Sequence, residues 1–148
     1  MPNETEVTFL VVDDDEVSIM AIERAFQKLR LTNPVRIARD GLEALELLTC
    51  KEHDPIRRPF IILLDVNMPR MDGHEFLAAL RGNSALKGSV VFMLTTSDAP
   101  KDLAAAYQQL VAGYIVKEDA YSSIRAAIEL LDAYIKIVSL PEENTIFS

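Results

Sequence analysis

The sequence predicts an α/β domain: a single doubly wound, five-stranded parallel sheet with helices on both faces. Three observations predict it. Short apolar runs rich in β-branched residues alternate five times with stretches of helical periodicity. The runs Phe60 to Leu64 and Val90 to Leu94 are apolar at every position, the pattern of parallel strands covered on both faces. At 148 residues, the chain suffices for one sizeable core, with no sequence repeat and no internal domain boundary. The expected organisation is one domain over 1–148, with a core of about 7–138 and a short C-terminal extension, 139–148.

Val7 to Val12 reads as the first strand. An acidic cluster follows, then a helix whose apolar face is set by Val17, Ile22, Phe26 and Leu29 and which Asn33-Pro34 breaks. Val35 to Ala38 is the second strand, Asp40-Gly41 a turn, and Leu42 to Leu48 the second helix. Cys50 to Pro59 is polar, holds two prolines, and is expected to be an exposed loop in which His53, Arg57 and Arg58 are solvated. Phe60 to Leu64 is the third strand. A loop over Met68 to Gly73 leads into a helix from about His74, itself expected at the surface, to Arg81. Val90 to Leu94 is the fourth strand. Asp98, as N-cap, and Pro100 in the first turn open a helix through Leu110. Gly113 ends that segment and Tyr114 to Val116 is the fifth strand. The last helix is amphipathic through Tyr121, Ile124, Ile128, Leu131, Ile135 and Val138, and Pro141 terminates it.

Composition excludes several functions. Fifteen basic and 23 acidic side chains give a net charge of -8, which opposes nonspecific binding to nucleic acid or an anionic membrane. One cysteine, Cys50, rules out an internal disulfide framework and a cysteine-rich zinc site, and it reads as a small filler near a helix end. The N-terminal Met1 to Glu6 lacks the basic region of a signal peptide, and the longest apolar runs are only strand-length. Cytoplasm is therefore the expected location.

Functional groups of an open parallel sheet gather past the carboxyl ends of its strands, at the switch in strand order. Asp13, Asp14 and Asp15 stand there after the first strand, Asp65 after the third, Thr95 and Thr96 after the fourth, and Lys117 after the fifth. No rule of folding gathers polar residues at all these ends. Neighbouring carboxylates repel by about 1–4 kcal/mol per pair, so the cluster must be solvated, protonated or neutralised by a cation. Oxygen ligands in small number suit Mg²⁺. An ammonium and a hydroxyl on the opposite rim bind phosphoryl oxygens well, and a carboxylate beside a divalent cation is equipped to accept a phosphoryl group.

Four segments, each at the end of its strand, carry a family resemblance: Val11-Val12-Asp13-Asp14-Asp15, Leu63 to Gly73 (LLDVNMPRMDG), Met93-Leu94-Thr95-Thr96-Ser97 and Gly113-Tyr114-Ile115-Val116-Lys117. Over Val7 to Val138 the chain resembles a two-component response-regulator receiver domain, which has a flavodoxin-like fold. The resemblance implies that Asp65 is the phosphoacceptor. Asp14, Asp65 and the backbone carbonyl of Asn67 would hold Mg²⁺, with Asp13 acting through water. Lys117 would pair with the phosphoryl group and Thr95 would turn to bond it. Tyr114 would follow Thr95 as the switch aromatic. Asn67, Thr96 and Ser97 occupy positions that tune kinetics. Ser97 offers no carboxylate or amide to position water, so slow autodephosphorylation is expected, without turnover of external substrates. The family's proline after the lysine is replaced by Glu118, which leaves a cis peptide at Lys117–Glu118 open, since a non-proline cis bond costs ~2.5–4 kcal/mol.

Asn33-Pro34-Val35, the loop around His53, Leu94 to Ser97 and Ser139-Leu140-Pro141 resemble the small stand-alone regulators that partner phytochrome-type histidine kinases. The resemblance implies a sensor histidine kinase or a histidine phosphotransfer protein as partner. It also implies a homodimer through the last helix and extension, with Tyr134, Ile137, Leu140, Ile146 and Phe147 available. Alternatives are a receiver-like interaction module that is never phosphorylated, a haloacid-dehalogenase-type phosphohydrolase, and a flavodoxin-type FMN carrier. The hydrolase needs a second acid where Asn67 stands, and the flavin carrier a phosphate loop absent after the first strand.

Overall fold

The computed structural model describes residues 6–50, 55–119 and 121–142. Strands β1 (Thr8–Val12), β2 (Val35–Ala38), β3 (Phe60–Leu64), β4 (Val90–Thr95) and β5 (Gly113–Val116) alternate with helices α1 (Glu16–Lys28), α2 (Gly41–Thr49), α3 (Gly73–Gly82), α4 (Pro100–Gln108) and α5 (Ser122–Ile137). All neighbouring strands pair parallel, in the order β2-β1-β3-β4-β5. The predicted doubly wound sheet is the observed one. Among the described residues no helix is long and apolar enough to cross a membrane.

The two-residue period of a strand explains why the central runs are apolar throughout. Leu10, Val12, Phe60, Ile62, Leu64, Val91 and Met93 face one core, closed by Ala44 and Leu48 of α2, Phe76, Leu77 and Leu80 of α3, and Ala106 of α4. Phe9, Val11, Ile61, Leu63, Phe92 and Leu94 face the other, closed by Ile22 and Phe26 of α1 and Ile124, Ile128 and Leu131 of α5. Since the chain moves outward from β1 in both directions, strand order switches between β1 and β3. Their register, Val12 opposite Leu64, brings Asp13 and Asp65 off the sheet at one level.

Local chemistry sets the helix starts. Asp15 caps α1 by accepting from the Val17 amide, and Asp40 caps α2 through the Glu43 amide. Asp72 and Glu75 form a reciprocal capping box at α3. Gly73, the first residue of α3, lies so close to β3's exit that a Cβ there would collide with the Asp65 carbonyl oxygen and stand 3.0 Å from the Val66 Cα. Gly73→Ala is therefore expected to lower stability by about 1–3 kcal/mol through overpacking. Gly82→Ala, whose Cβ would meet nothing within 4 Å, should not. Urea denaturation of the two variants checks the contrast.

Several local expectations change. Val17, Tyr121 and Val138 are 58%, 57% and 39% exposed rather than core, and Ile19, Ala21 and Ala25 complete the buried face of α1. Helix α1 ends at Lys28, ahead of Asn33-Pro34, where Arg30 takes a left-handed φ of 57°. Asp40-Gly41 is a cap and helix start instead of a free turn. Ala99, not Asp98, sits at the N-cap of α4, without a side-chain cap bond. The segment before β3 is only partly open: Ile56 and Arg58 are buried. The Arg58 guanidinium donates to the Ala85 carbonyl and the Ser89 hydroxyl, and lies over the Phe60 ring. Its charge is thus not a solvated loop charge. His53 lies outside the described residues. The cis peptide among the described residues is Arg58–Pro59, and Lys117–Glu118 is trans.

Candidate functional site

The carboxyl ends of β1, β3 and β5 bring together the groups that the sequence pointed to. Asp13, Asp14 and Asp65 each present a carboxylate oxygen within 4.8 Å of the others. Asp13 and Asp65 are buried and Asp14 is exposed, so the cluster opens to solvent on one side. Two backbone bonds define its base: the Asp13 amide donates to the Ala38 carbonyl and the Asp65 amide to the Val12 carbonyl. Asp65 is oriented by its own loop, because the Val66 amide donates to its Oδ1 at 2.8 Å.

Lys117 enters from β5, whose exit is pinned by the bond from the Lys117 amide to the Thr95 carbonyl. Its buried Nζ donates at 2.9 Å to Asp13 Oδ2 and at 2.9 Å to the Ser18 hydroxyl. The second carboxylate oxygen of Asp13 accepts from the Asp15 amide. Burial pushes the Asp13 carboxyl up from its ordinary value, against the lowering pull of the Lys117 ammonium, and Asp65 adds to the rise. Three acids against one ammonium leave an excess of negative charge in a partly desolvated place. A divalent cation with oxygen ligands answers that excess, and the donor set is hard oxygen throughout. The residues fit such an ion.

On the facing rim Thr95 is wholly buried and its hydroxyl accepts from the Ser97 amide at 3.2 Å. Thr96 and Asn67 are exposed, at the mouth. Half-buried Tyr114 donates its hydroxyl to the Ser97 carbonyl at 2.9 Å. The Ser97 hydroxyl donates to Asp102 of α4, and the other Asp102 oxygen meets His74 Nε2 of α3 at 2.8 Å. His74, expected to be a solvated surface residue, is instead a tie between α3 and α4. Sequence patterns missed this Ser97–Asp102–His74 chain, because its members lie five and 28 positions apart on three different elements.

The bond from Ser97, then that from His74, holds the Asp102 carboxyl below its ordinary value. A lowered carboxyl contributes stability above the unfolded value, about 3.9, and loses it as pH falls through the folded value. Asp102→Asn should therefore cost stability at about pH 6 and progressively less below about pH 4. Thermal melts across that range check it.

Ser18 was also missed as a site residue, and Asp15, placed at the acidic strand end, was given no contact with it. Ser18 bonds Asp15 Oδ2 as well as Lys117, so the first turn of α1 buttresses the lysine. The spacing of Asp15 and Ser18 is an N-cap pattern, a signal for the helix start but not for the lysine 99 positions away.

A family model for the response regulator receiver domain matches residues 9–129. The chain belongs to the response-regulator receiver family. This receiver is 34% identical over 125 residues to the probable methanogenesis regulatory protein FilR2 of Methanothrix harundinacea (strain 6Ac), covering 84% of this chain and 81% of that one. It is 31% identical over 134 residues to response regulator Rcp1 of Synechocystis sp. (strain ATCC 27184 / PCC 6803 / Kazusa), covering 89% and 91%. The crystal structure of the phosphorylated cyanobacterial phytochrome response regulator RcpA superposes with a TM-score of 0.83 at 28% identity, over 93% of this chain and 100% of that one. The Mn(2+)-bound form of Rcp1 superposes with a TM-score of 0.80 at 30% identity, over 91% and 99%. The receiver thus shares sequence and fold with phytochrome response regulators.

Proposed function

We propose that the receiver accepts a phosphoryl group on Asp65 from a phosphohistidine of a sensor histidine kinase or a histidine phosphotransfer protein. The observation that carries this reading is the convergence of Asp13, Asp14 and Asp65 with the buried Lys117 ammonium at the switch in strand order. An Asp65 oxygen attacks phosphorus, the phosphorus–nitrogen bond breaks, and the leaving imidazole keeps the electron pair. Val66 holds that carboxylate in line through its amide. Asp14, Asp65 and the Asn67 carbonyl would hold Mg²⁺, with Asp13 acting through water. When bound, that ion supplies charge neutralisation to the phosphoryl oxygens. Lys117 stabilises the charge of the transferring group.

The signal then leaves through the rim opposite the acids. Thr95 exchanges its bond from the Ser97 amide for one to the phosphoryl group, and Tyr114, bonded to the Ser97 carbonyl, follows. Ser97 is engaged with Asp102 and offers water no carboxylate, which supports slow autodephosphorylation. Exposed Val17 and Met20 beside the acidic end give a partner an apolar foothold.

Likeness to Rcp1 and RcpA supports a phytochrome-type kinase as the donor, and membership of the receiver family is in keeping with the cytoplasm as the location. We read the chain as one receiver unit with its core over about 7–138. A homodimer through α5 is also supported, on part of the residues first expected: Ile137 remains available, and Leu130 joins it. Ile137 is 81% exposed and Leu130 52%, whereas Tyr134 stacks edge-on with Phe92 and Leu140 packs on the core. Ile146 and Phe147 lie outside the described residues.

Intact mass after incubation with acetyl phosphate tests the reading: a gain of one phosphoryl group that requires Mg²⁺ is expected. No gain from folded protein would leave a receiver-shaped interaction module. Mg²⁺ alone has a second signature. At ten times its dissociation constant it should stabilise the fold by about 1.4 kcal/mol, raising Tm by about 3–6 °C. Asp14→Asn should raise the melting point without the ion and shrink the response to it, because one repelling charge is gone. Differential scanning fluorimetry reads both effects.

A further inference from the structure

We propose that the cleft between α1 and α5 binds a small phosphorylated ligand carrying a planar ring, the chemistry of a nucleotide. This cavity of about 500 Å³ shares no residue with the acidic end and rests on different observations from the phosphoacceptor reading. Small Ala21 and Ala25 on α1 leave the space open. Arg24 and Lys28 line it from α1, and Arg125 from the first turn of α5.

Three exposed cations thus line one cavity in a chain of net charge -8. No carboxylate among the described residues forms an ion pair with any of them. Among the described residues no acid lines the cavity. Like charges drawn together without a counterion repel, and a bound anion relieves them. Two of the three are arginines, whose planar fork matches phosphate oxygens in pairs.

The aromatic component is also built. Tyr121 is 57% exposed, so core packing does not account for it. The Arg24 guanidinium lies 5.5 Å from its ring centroid and donates to its hydroxyl at 3.3 Å. This contact across the two helices holds a flat, partly cationic surface at the cavity, suited to stacking a heterocycle. The volume is that of a small-molecule site. Cations converging from facing helices suit a compact phosphate better than an extended acidic peptide, which would need them in a row.

The test is an amide-resolved NMR titration of the full chain in EDTA, which removes metal-mediated capture of phosphate at the acidic end. The probes are AMP, adenosine, inorganic phosphate and hexaglutamate. AMP is expected to shift amides of residues 21–28 and 122–125 and to bind at least about tenfold more tightly than adenosine or phosphate. Arg24→Ala and Arg125→Ala should each weaken AMP about tenfold, the loss of one charge-assisted contact, with melting not lowered and labelling by acetyl phosphate unchanged. If Arg24→Ala melts early, Arg24→Lys and the exposed Arg125→Ala carry the comparison. No shift up to ~10 mM AMP would overturn the proposal. So would shifts confined to the acidic end, equal affinity for phosphate and AMP, or unchanged binding in both arginine variants. Hexaglutamate binding at these residues in place of AMP would assign the cleft to an acidic peptide and also overturn it.

Discussion

Asp65→Asn is expected to abolish the Mg²⁺-dependent gain of a phosphoryl group while leaving the fold intact. The amide is isosteric and keeps an oxygen to accept from the Val66 amide, so the loop after β3 retains its anchor. What it loses is the nucleophile: a carboxamide oxygen does not form an acyl phosphate under these conditions, and labelling should fall by at least about three orders of magnitude. The same substitution removes one of three acids whose oxygens lie within 4.8 Å of one another. Without divalent ion the variant should therefore be more stable than the parent, by about 1 kcal/mol. Loss of labelling together with gain of stability separates a functional acid from a structural one. Persistent labelling of the variant would move the acceptor to another carboxylate and sink the assignment.

Lys117→Met should be the most damaging single change at the site. The ammonium is buried and bonded to two partners, Asp13 and Ser18. Removing it leaves the buried Asp13 carboxylate with the Asp15 amide and two neighbouring acids, the situation in which a broken buried pair costs about 3–5 kcal/mol. Asp13→Asn combined with Lys117→Met removes both charges and should recover most of that loss, since an absent pair costs far less than half of one. Urea denaturation of the parent, both single variants and the double variant gives the coupling energy. Labelling should not recover with stability. The double variant still lacks the cation facing the transferring group, a loss of about 10²–10³ in rate. Recovery of both together would show that Lys117 acts only through folding.

Legibility varied with the physics behind each feature. The central strands were readable because a strand buried on both faces must be apolar at successive positions, as Phe60 to Leu64 is. The half-buried edge strands β2 and β5 were readable through short β-branched runs bounded by Asn33-Pro34 and Gly113. Helix faces were less readable at their ends. Val17 stands five positions before Ile22, on the outer face of a helix whose buried residues begin at Ser18 and Ile19. Val138 continues the three–four spacing of α5 past its last turn, where the spacing does not say that the neighbour stops. Asp98 is a good cap by type, yet the chain enters α4 one residue later, so propensity lost to the path of the β4–α4 loop. Arg58 reads as loop charge because its acceptors, the Ala85 carbonyl and Ser89, lie 27 and 31 positions on. His74 has no ligand partner in sequence and finds Asp102 only when α3 and α4 are side by side.

The candidate site divides the same way. Its members were legible because strand ends are local features, and an acid, hydroxyl or lysine directly after an apolar run stands at a known end of the sheet. The sequence alone therefore determined the α/β class, the five-stranded sheet and the polar residues that stand past its strand ends. Which of them touch was decided by tertiary structure. Asp13 and Asp65 meet because β1 pairs with β3, and Lys117 reaches Asp13 across 104 positions because β5 ends level with Thr95. Ser18 joins them only because α1 packs beside that end. Pairing order and helix placement are cooperative properties of the whole core, set by which apolar faces bury each other, and no local pattern encodes them.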